Sequence, residues 1–168
     1  TVKGIVLNNE GAIAFDSKPG KGSSVTTLLP KAKTDRTNLD AGFADSTWLD
    51  SKSVLIFTEK SLNNLISLML KKLGISALTS LGGNECVKTY KENIQTVGLV
   101  ILDLSIAEFN MEKTFRTLKE LSPDLKVILL NAEEQKEEEK FYTESEISGI
   151  LIKPFSIKDL ANKIESAK

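Results

Sequence analysis

From residue 53 onward, short apolar runs alternate with longer segments in which apolar residues recur every three or four positions. The first run, Val54-Leu55-Ile56-Phe57, is continuously apolar, as expected for a strand that is covered on both faces. Further runs of this character predict strands at 75–81, 97–102, 125–130 and 148–152. The pattern therefore predicts five strands separated by helices.

The segments between these strands show the spacing of amphipathic helices. In the first of them the apolar stripe consists of Leu62, Leu65, Ile66, Met69, Leu70 and Leu73. Gly74 follows where glycine commonly ends a helix, and Ser156 begins the last helix with a capping box. The other helices are predicted at 83–94, 111–121 and 133–146. Strands that alternate with helices form a parallel sheet covered on both faces, so we expect an α/β domain.

Residues 1–31 have a different pattern, which predicts the end of a helix followed by a hairpin. The segment 18–22 between the two hairpin strands contains the proline and glycines of a tight turn. Residues 32–52 lack a sustained apolar period and are interpreted as a linker. We expect Trp48 and Leu49 to anchor the end of this linker against the domain at 53–168.

Composition excludes several classes of function. The 168 residues are 40% hydrophobic and 27% charged, which is typical of a globular protein. A formal net charge of -1 gives no electrostatic reason to expect a nucleic-acid or anionic-membrane partner. No apolar run is long enough to span a bilayer and no signal peptide opens the sequence. The first residue is Thr rather than Met, which indicates a piece of a longer protein.

Histidine and cysteine usage narrows the chemistry further. The sequence contains no histidine, which excludes a His-containing catalytic triad, a His-based metal site and a phosphohistidine within the chain. Cys86 is the only cysteine, so no internal disulfide forms and a reducing compartment is favoured. No basic residue flanks it closely, so we expect a half-buried helix residue rather than a reactive thiol.

Polar residues stand where the apolar strands end, namely Thr58-Glu59, Asp103, Asn131 and Lys153. The carboxyl ends of parallel strands meet at one edge of a sheet, which is where ligands bind. Two carboxylates there are suited to Mg²⁺, and an ammonium group is suited to a phosphoryl oxygen. Asp103 is then placed to attack phosphorus. Alternatively, Asp103 and Lys153 form a purely structural ion pair.

Four of these segments resemble the receiver domain of response regulators. They are the strand up to Lys60 and the runs at 98–104, 126–132 and 149–155, the last of which ends in Lys-Pro-Phe. The resemblance covers residues 53–168 and implies a flavodoxin-like (βα)5 fold with a five-stranded parallel sheet. An unrelated flavodoxin-like enzyme is the weaker alternative, because no glycine-rich phosphate loop follows the first strand.

The resemblance implies a role for each matching residue. Asp103 is the implied phosphoacceptor, and Glu59, Asp103 and the backbone carbonyl of Ser105 are the implied Mg²⁺ ligands. Thr58 matches the second acid of the family's acidic pair. The implied phosphoryl-contacting or switch residues are Lys153, Asn131, Thr58 and Ile150.

Several of these residues depart from the family pattern. Thr58 and Glu59 replace the usual acid pair, which predicts weak or absent Mg²⁺ binding. Asn131 lacks the usual hydroxyl, although its amide still donates hydrogen bonds, and Ile150 replaces an aromatic residue. Two functions stay open: a working phosphoacceptor in a phosphorelay, and a degenerate pseudo-receiver that binds proteins without being phosphorylated.

The first 31 residues look like the last segment of a histidine-kinase ATP-binding domain, with a turn close to Ser-x-Pro-Gly-x-Gly-Ser. The nucleotide-binding elements of that domain are absent, so we expect no complete ATP site. Together the resemblances imply part of a cytoplasmic region of a hybrid sensor histidine kinase, with membrane anchoring through upstream segments of the parent. The implied partner is a histidine kinase or histidine phosphotransfer protein. A homodimer through the fourth helix, fifth strand and fifth helix is a further expectation.

Overall fold

The computed structural model describes residues 2–30, 49, 51–106, 111–132 and 141–167. The chain divides into two compact units, Thr1–Asp40 and Ala41–Lys168. Among the described residues, no helix combines the length and apolar character needed to cross a membrane. The predicted linker at 32–52 falls almost entirely outside the described ranges.

The first unit is a helix followed by a hairpin, as predicted for residues 1–31. Helix α1 (Val2–Asn8) precedes the antiparallel strands β1 (Ala12–Lys18) and β2 (Gly22–Leu28), in which Phe15 lies opposite Val25. Gly20 has a φ of 72° in the connecting turn, a conformation that glycine adopts without strain. The Phe15 side chain is 70% exposed and Val25 is also exposed, so this unit leaves an apolar strand surface uncovered.

The second unit is a five-stranded parallel sheet in the order β4-β3-β5-β6-β7, which confirms the predicted flavodoxin-like fold class. Its strands are β3 (Ser53–Phe57), β4 (Ser76–Ser80), β5 (Val97–Asp103), β6 (Lys126–Asn131) and β7 (Gly149–Ile152). Its helices in the described ranges are α2 (Lys60–Lys72), α3 (Gly83–Glu92), α4 (Met111–Leu121) and α5 (Ile157–Glu165).

Helices cover the sheet on both faces, which explains the continuous apolar runs. In β5, Val100 and Leu102 pack with α3 and α4 on one face. Leu99 and Ile101 pack with α2 and α5 on the other. All of these strand residues are fully buried, so β5 is the centre of the core and its last residue, Asp103, lies at the centre of one edge.

Two helix predictions need correction. In α2 the buried residues are Asn63, Ile66 and Leu70, whereas Leu65 from the predicted stripe is 47% exposed. Of the helix predicted at 133–146, residues 133–140 lie outside the described ranges and 141–146 form bends and turns. In this segment the Phe141 ring contacts the Phe115 ring edge-on, with 5.6 Å between the ring centroids.

The other side-chain expectations have mixed outcomes. Leu49 is 4% exposed and packs in the cluster beneath α2 and α5, as the anchoring prediction required, while Trp48 lies outside the described residues. Cys86 is fully buried rather than half-buried. Burial raises the pKa of its thiol to about 11, against a hydrogen bond with Ser80 that lowers it, so the thiol stays protonated and inert near neutral pH.

We expect Gly83→Ala to destabilise the second unit by about 1–2 kcal/mol. A Cβ on Gly83 would lie 2.4 Å from the Thr114 hydroxyl, and overpacking of this kind costs ~1–3 kcal/mol. The better helix propensity of alanine offsets part of that cost. Urea unfolding of the single variants and of Gly83→Ala/Thr114→Ala measures the effect. If the double variant is as unstable as the sum of the singles, the contact with Thr114 is not the cause.

Candidate functional site

The strand register brings the predicted polar residues to one edge of the sheet. Asp103 ends β5 beside β6, and Asn131 ends β6 opposite Ile152 of β7. Thr58 directly follows β3, and Lys153 directly follows β7. Asp103, Thr58 and Lys153 are in direct contact there, as the strand-end argument predicted.

The Asp103 carboxylate is 1% exposed and accepts hydrogen bonds on both oxygens. Its Oδ1 accepts from the Ser105 amide at 3.0 Å, the Ser105 hydroxyl at 2.6 Å and the Lys153 ammonium at 2.9 Å. Its Oδ2 accepts from the Thr58 hydroxyl at 2.5 Å. A buried carboxylate is tolerated only with such partners, so these contacts keep it ionised inside the fold.

The contacts determine the ionisation of Asp103. Burial alone would raise the pKa of this carboxyl. The hydrogen bonds from the hydroxyls of Ser105 and Thr58, from Lys153 and from the Ser105 amide outweigh burial and lower the pKa below its ordinary value. Asp103 is therefore an anion at neutral pH.

Lys153 forms the positive side of the site. Its ammonium pairs with Asp103 and also donates to the Ser105 hydroxyl at 2.6 Å. Its backbone amide donates to the Asn131 carbonyl at 2.7 Å, which fixes the start of the following loop against β6. The ion pair between Asp103 and Lys153, which the sequence left open as a purely structural contact, is thus present. It also places a compact positive charge where a phosphoryl group on Asp103 would need one.

Asn131 is held with its amide in one orientation. The side-chain Oδ1 accepts from the Ala132 backbone amide at 2.9 Å, which leaves the amide nitrogen as the donor end of the side chain. The residue is buried at the end of β6, one strand away from Asp103. A fixed donor at this edge suits an incoming anionic oxygen.

Besides Asn131, two predicted site residues, Glu59 and Ile150, have no hydrogen bond to Asp103 among the described residues. Glu59 is exposed at the N-terminus of α2, and its carboxylate accepts from the Ser61 hydroxyl at 2.8 Å. Ile150 lies in β7 and packs against the core cluster under α3 and α4. Within the described residues, no hydrogen bond joins Glu59 to Asp103.

Sequence reasoning missed two polar side chains that build this edge. The Ser105 hydroxyl bridges Asp103 and Lys153, whereas only its backbone carbonyl was predicted to matter. Asn63 is buried in α2 and donates to the Thr58 carbonyl at 3.1 Å and to the Ser80 carbonyl at 2.9 Å. The available signal for Asn63 was a polar residue inside the apolar pattern of α2.

The residues at this edge fit a hydrated Mg²⁺ ion. Mg²⁺ is commonly held by one or two carboxylates and keeps several waters, so the Asp103 carboxylate at this edge could supply one ligand. Oδ2 of Asp103 has a single donor within the described ranges and so retains a lone pair for a metal. In those ranges no group of three or more Asp, Glu, His or Cys residues could hold a metal.

Comparison with known proteins finds a family match for most of the second unit. Residues 54–165 match the family described as response regulator receiver domain. The sensor kinase CckA of Brucella abortus is 27% identical over 177 residues, covering 98% of this chain and 18% of that protein. The autoinducer 1 sensor kinase/phosphatase LuxN of Vibrio campbellii is 30% identical over 84 residues, covering 49% of this chain and 10% of that protein. The chain therefore spans less than a fifth of these relatives.

Solved structures share the fold at low sequence identity. A response regulator receiver domain protein from Clostridium thermocellum superimposes with a TM-score of 0.63 at 22% identity, covering 69% of this chain and 93% of that one. The receiver domain of the hybrid histidine kinase CckA superimposes with a TM-score of 0.56 at 18% identity, covering 68% and 97%. At this identity the likeness establishes the fold alone.

Proposed function

This chain belongs to the response regulator receiver domain family, and on that basis we propose that Asp103 is its phosphoacceptor. Receiver domains act in two-component phosphorelays, in which they interact with histidine kinases or histidine phosphotransfer proteins. The phosphoryl donor is a phosphohistidine outside the chain, because the chain contains no histidine. The proposal rests above all on the buried, ionised Asp103 carboxylate in contact with Lys153.

The side chains around Asp103 have separate tasks in this transfer. A carboxylate oxygen forms the new bond to phosphorus while the phosphorus–nitrogen bond of the donor breaks and its electron pair returns to the imidazole. Lys153 then moves its charge from the carboxylate to a phosphoryl oxygen, and the Asn131 amide donates to another. Catalysis of this kind depends on positioning and charge neutralisation rather than on a general base.

Receiver domains of this family generally use Mg²⁺ for phosphorylation. We propose that Asp103, Glu59 and the Ser105 carbonyl would hold it here, and that bound Mg²⁺ would offset the charge of the incoming phosphoryl group. Thr58 and exposed Glu59 supply less negative charge near Asp103 than two buried acids would, so the proposed binding is weak.

The test is phosphorylation of the purified chain by acetyl phosphate, read by intact mass. We expect a single phosphoryl adduct with Mg²⁺ present, and none in Asp103→Asn or without metal. Ser145→Ala, which changes an exposed hydroxyl on the segment before β7, is the matched control and should retain the adduct. No adduct, together with no beryllofluoride binding, would contradict phosphorylation and leave the pseudo-receiver as the function.

For the first unit we propose the C-terminal fragment of a histidine-kinase ATP-binding domain, with domain limits at 1–31, 32–52 and 53–168. Its support is the helix-hairpin structure with an uncovered apolar strand surface, since a two-stranded hairpin is marginal alone in water. Further support is the alignment with a sensor kinase over 98% of the chain. The parent would then be a hybrid histidine kinase.

We further propose a homodimer face that includes β7 and α5. Among the described strands β7 is an edge strand, its Ile152 is partly exposed, and a groove beside it is lined by Phe155 and Lys163.

Cytoplasmic location of the chain, with membrane anchoring elsewhere in the parent, is likewise a proposal. The free thiol of Cys86 supports a reducing compartment.

A further inference from the structure

Thr58 is held in place from two sides at the end of β3. Its side chain is 1% exposed and donates to Oδ2 of Asp103 at 2.5 Å. Its backbone carbonyl accepts from the Asn63 side chain, which also binds the Ser80 carbonyl at the end of β4. The Thr58 hydroxyl is therefore a fixed donor to the acceptor carboxylate rather than a freely rotating surface group.

The two oxygens of Asp103 differ in their capacity for a further ligand. Each carboxylate oxygen has about two lone-pair sites. Three donors contact Oδ1, namely the Ser105 amide, the Ser105 hydroxyl and the Lys153 ammonium, so that oxygen is saturated. Among the described residues only Thr58 donates to Oδ2. Oδ2 is therefore the oxygen with room for a divalent cation, and there the Thr58 proton already offsets part of the negative charge.

We propose that the Thr58 hydroxyl, by donating a hydrogen bond to Oδ2 of Asp103, offsets negative charge on the oxygen that has room for Mg²⁺ and thereby keeps the affinity of the site for divalent cations low. This inference rests on the proposed function, because it assumes that Mg²⁺ binds at Asp103. The hydroxyl satisfies the buried charge in the metal-free state, so the fold does not depend on a bound cation.

The inference is tested by titrating Mg²⁺ into the full chain and following the Ser105 backbone amide by NMR, since that amide donates to Asp103. Thr58→Val removes the donor at nearly constant volume, and we expect its Mg²⁺ dissociation constant to fall about tenfold, the size of one hydrogen bond to a charged group. Thr58→Ser retains a hydroxyl and should bind as the wild type does. Thr79→Val, on the exposed side of β4, is the matched control.

Each outcome separates this inference from the proposed function. Equal Mg²⁺ affinity in Thr58→Val and the wild type would overturn the inference while leaving Asp103 phosphorylation intact. Weaker binding in Thr58→Val would mean that the hydroxyl orients the carboxylate for the metal, which also overturns it. Failure of every variant, including the wild type, to bind Mg²⁺ or form an adduct would remove the proposed function as well.

A fourth variant covers the case in which Thr58→Val does not fold. Thr58→Cys has a similar size and a thiol that donates only weakly. We expect its Mg²⁺ affinity to lie between those of the wild type and the tenfold tighter value predicted for Thr58→Val. An affinity equal to that of the wild type would overturn the inference.

Discussion

Replacing Lys153 with methionine is expected to slow phosphorylation of Asp103 by acetyl phosphate at least ~100-fold, the usual cost of removing one preorganised group that stabilises a developing negative charge. The Lys153 ammonium is 2.9 Å from Oδ1 of Asp103 in the resting site. It is the only side-chain cation that the described contacts bring to this carboxylate. Methionine fills similar space but offers no charge to the phosphoryl oxygens. The rate is measured by intact mass against time at saturating Mg²⁺.

The control for this variant is Lys158→Met in α5, which removes an exposed lysine close in the chain but away from the site. It should phosphorylate at the wild-type rate. Lys153→Met keeps the Ser105 and Thr58 donors to Asp103, so we expect it to fold, and circular dichroism checks this. A folded Lys153→Met that phosphorylates as fast as the control would assign Lys153 to the structural ion pair alone.

The sequence located much of this site because strand geometry limits where a residue can go. A buried parallel strand is continuously apolar, so the first polar residue after it marks the edge of the sheet. That rule identified Thr58, Asp103 and Lys153, and these three side chains are in mutual contact through Asp103. The rule fixes the position of a residue along the strand but not the direction of a loop side chain.

Residues beyond the strand ends were predicted less well for physical reasons. The Ser105 hydroxyl turns back onto Asp103 through a local loop conformation that apolar periodicity does not encode. Asn63 and Leu65 are two positions apart and lie on nearly opposite sides of α2, and Asn63 is the one that faces the core. The carbonyls of Thr58 and Ser80 need donors there, so the polar side chain is the buried one. Helical spacing alone cannot distinguish these two faces.

The segment at 141–146 illustrates a different limit of prediction. It was predicted to be the end of a helix at 133–146, but tertiary contacts hold it in bends and turns. Arg116 of α4 donates to the Phe141 carbonyl and pairs with Glu146. Phe115 and Phe141 contact each other edge-on. Contacts between residues 25 or more positions apart override the local helix propensity, and a local sequence pattern does not predict such contacts.

We expect Phe115→Ala to lower the free energy of unfolding of the second unit by about 3–5 kcal/mol. Phe115 is fully buried in the cluster formed by α3, α4 and one face of the sheet. Truncation removes its ring and leaves a cavity, and Phe141 loses the aromatic partner that helps to hold the segment before β7. Because whole domains are stable by only ~5–15 kcal/mol, the change should be large in a urea titration.

The comparison that isolates burial is Leu68→Ala on α2, which truncates a mostly exposed apolar side chain. Its effect should stay within ~0.5 kcal/mol, as is usual for surface substitutions. Burial distinguishes the two positions, so a similar loss in both variants would contradict the core assigned to α4.

A large loss in Phe115→Ala with an unchanged phosphorylation rate below the unfolding transition would show that this core supports the Asp103 edge only through overall folding. A slower rate in the folded variant would instead mean that packing under α4 positions β5 and its terminal carboxylate, because Leu102 belongs to the same cluster as Phe115.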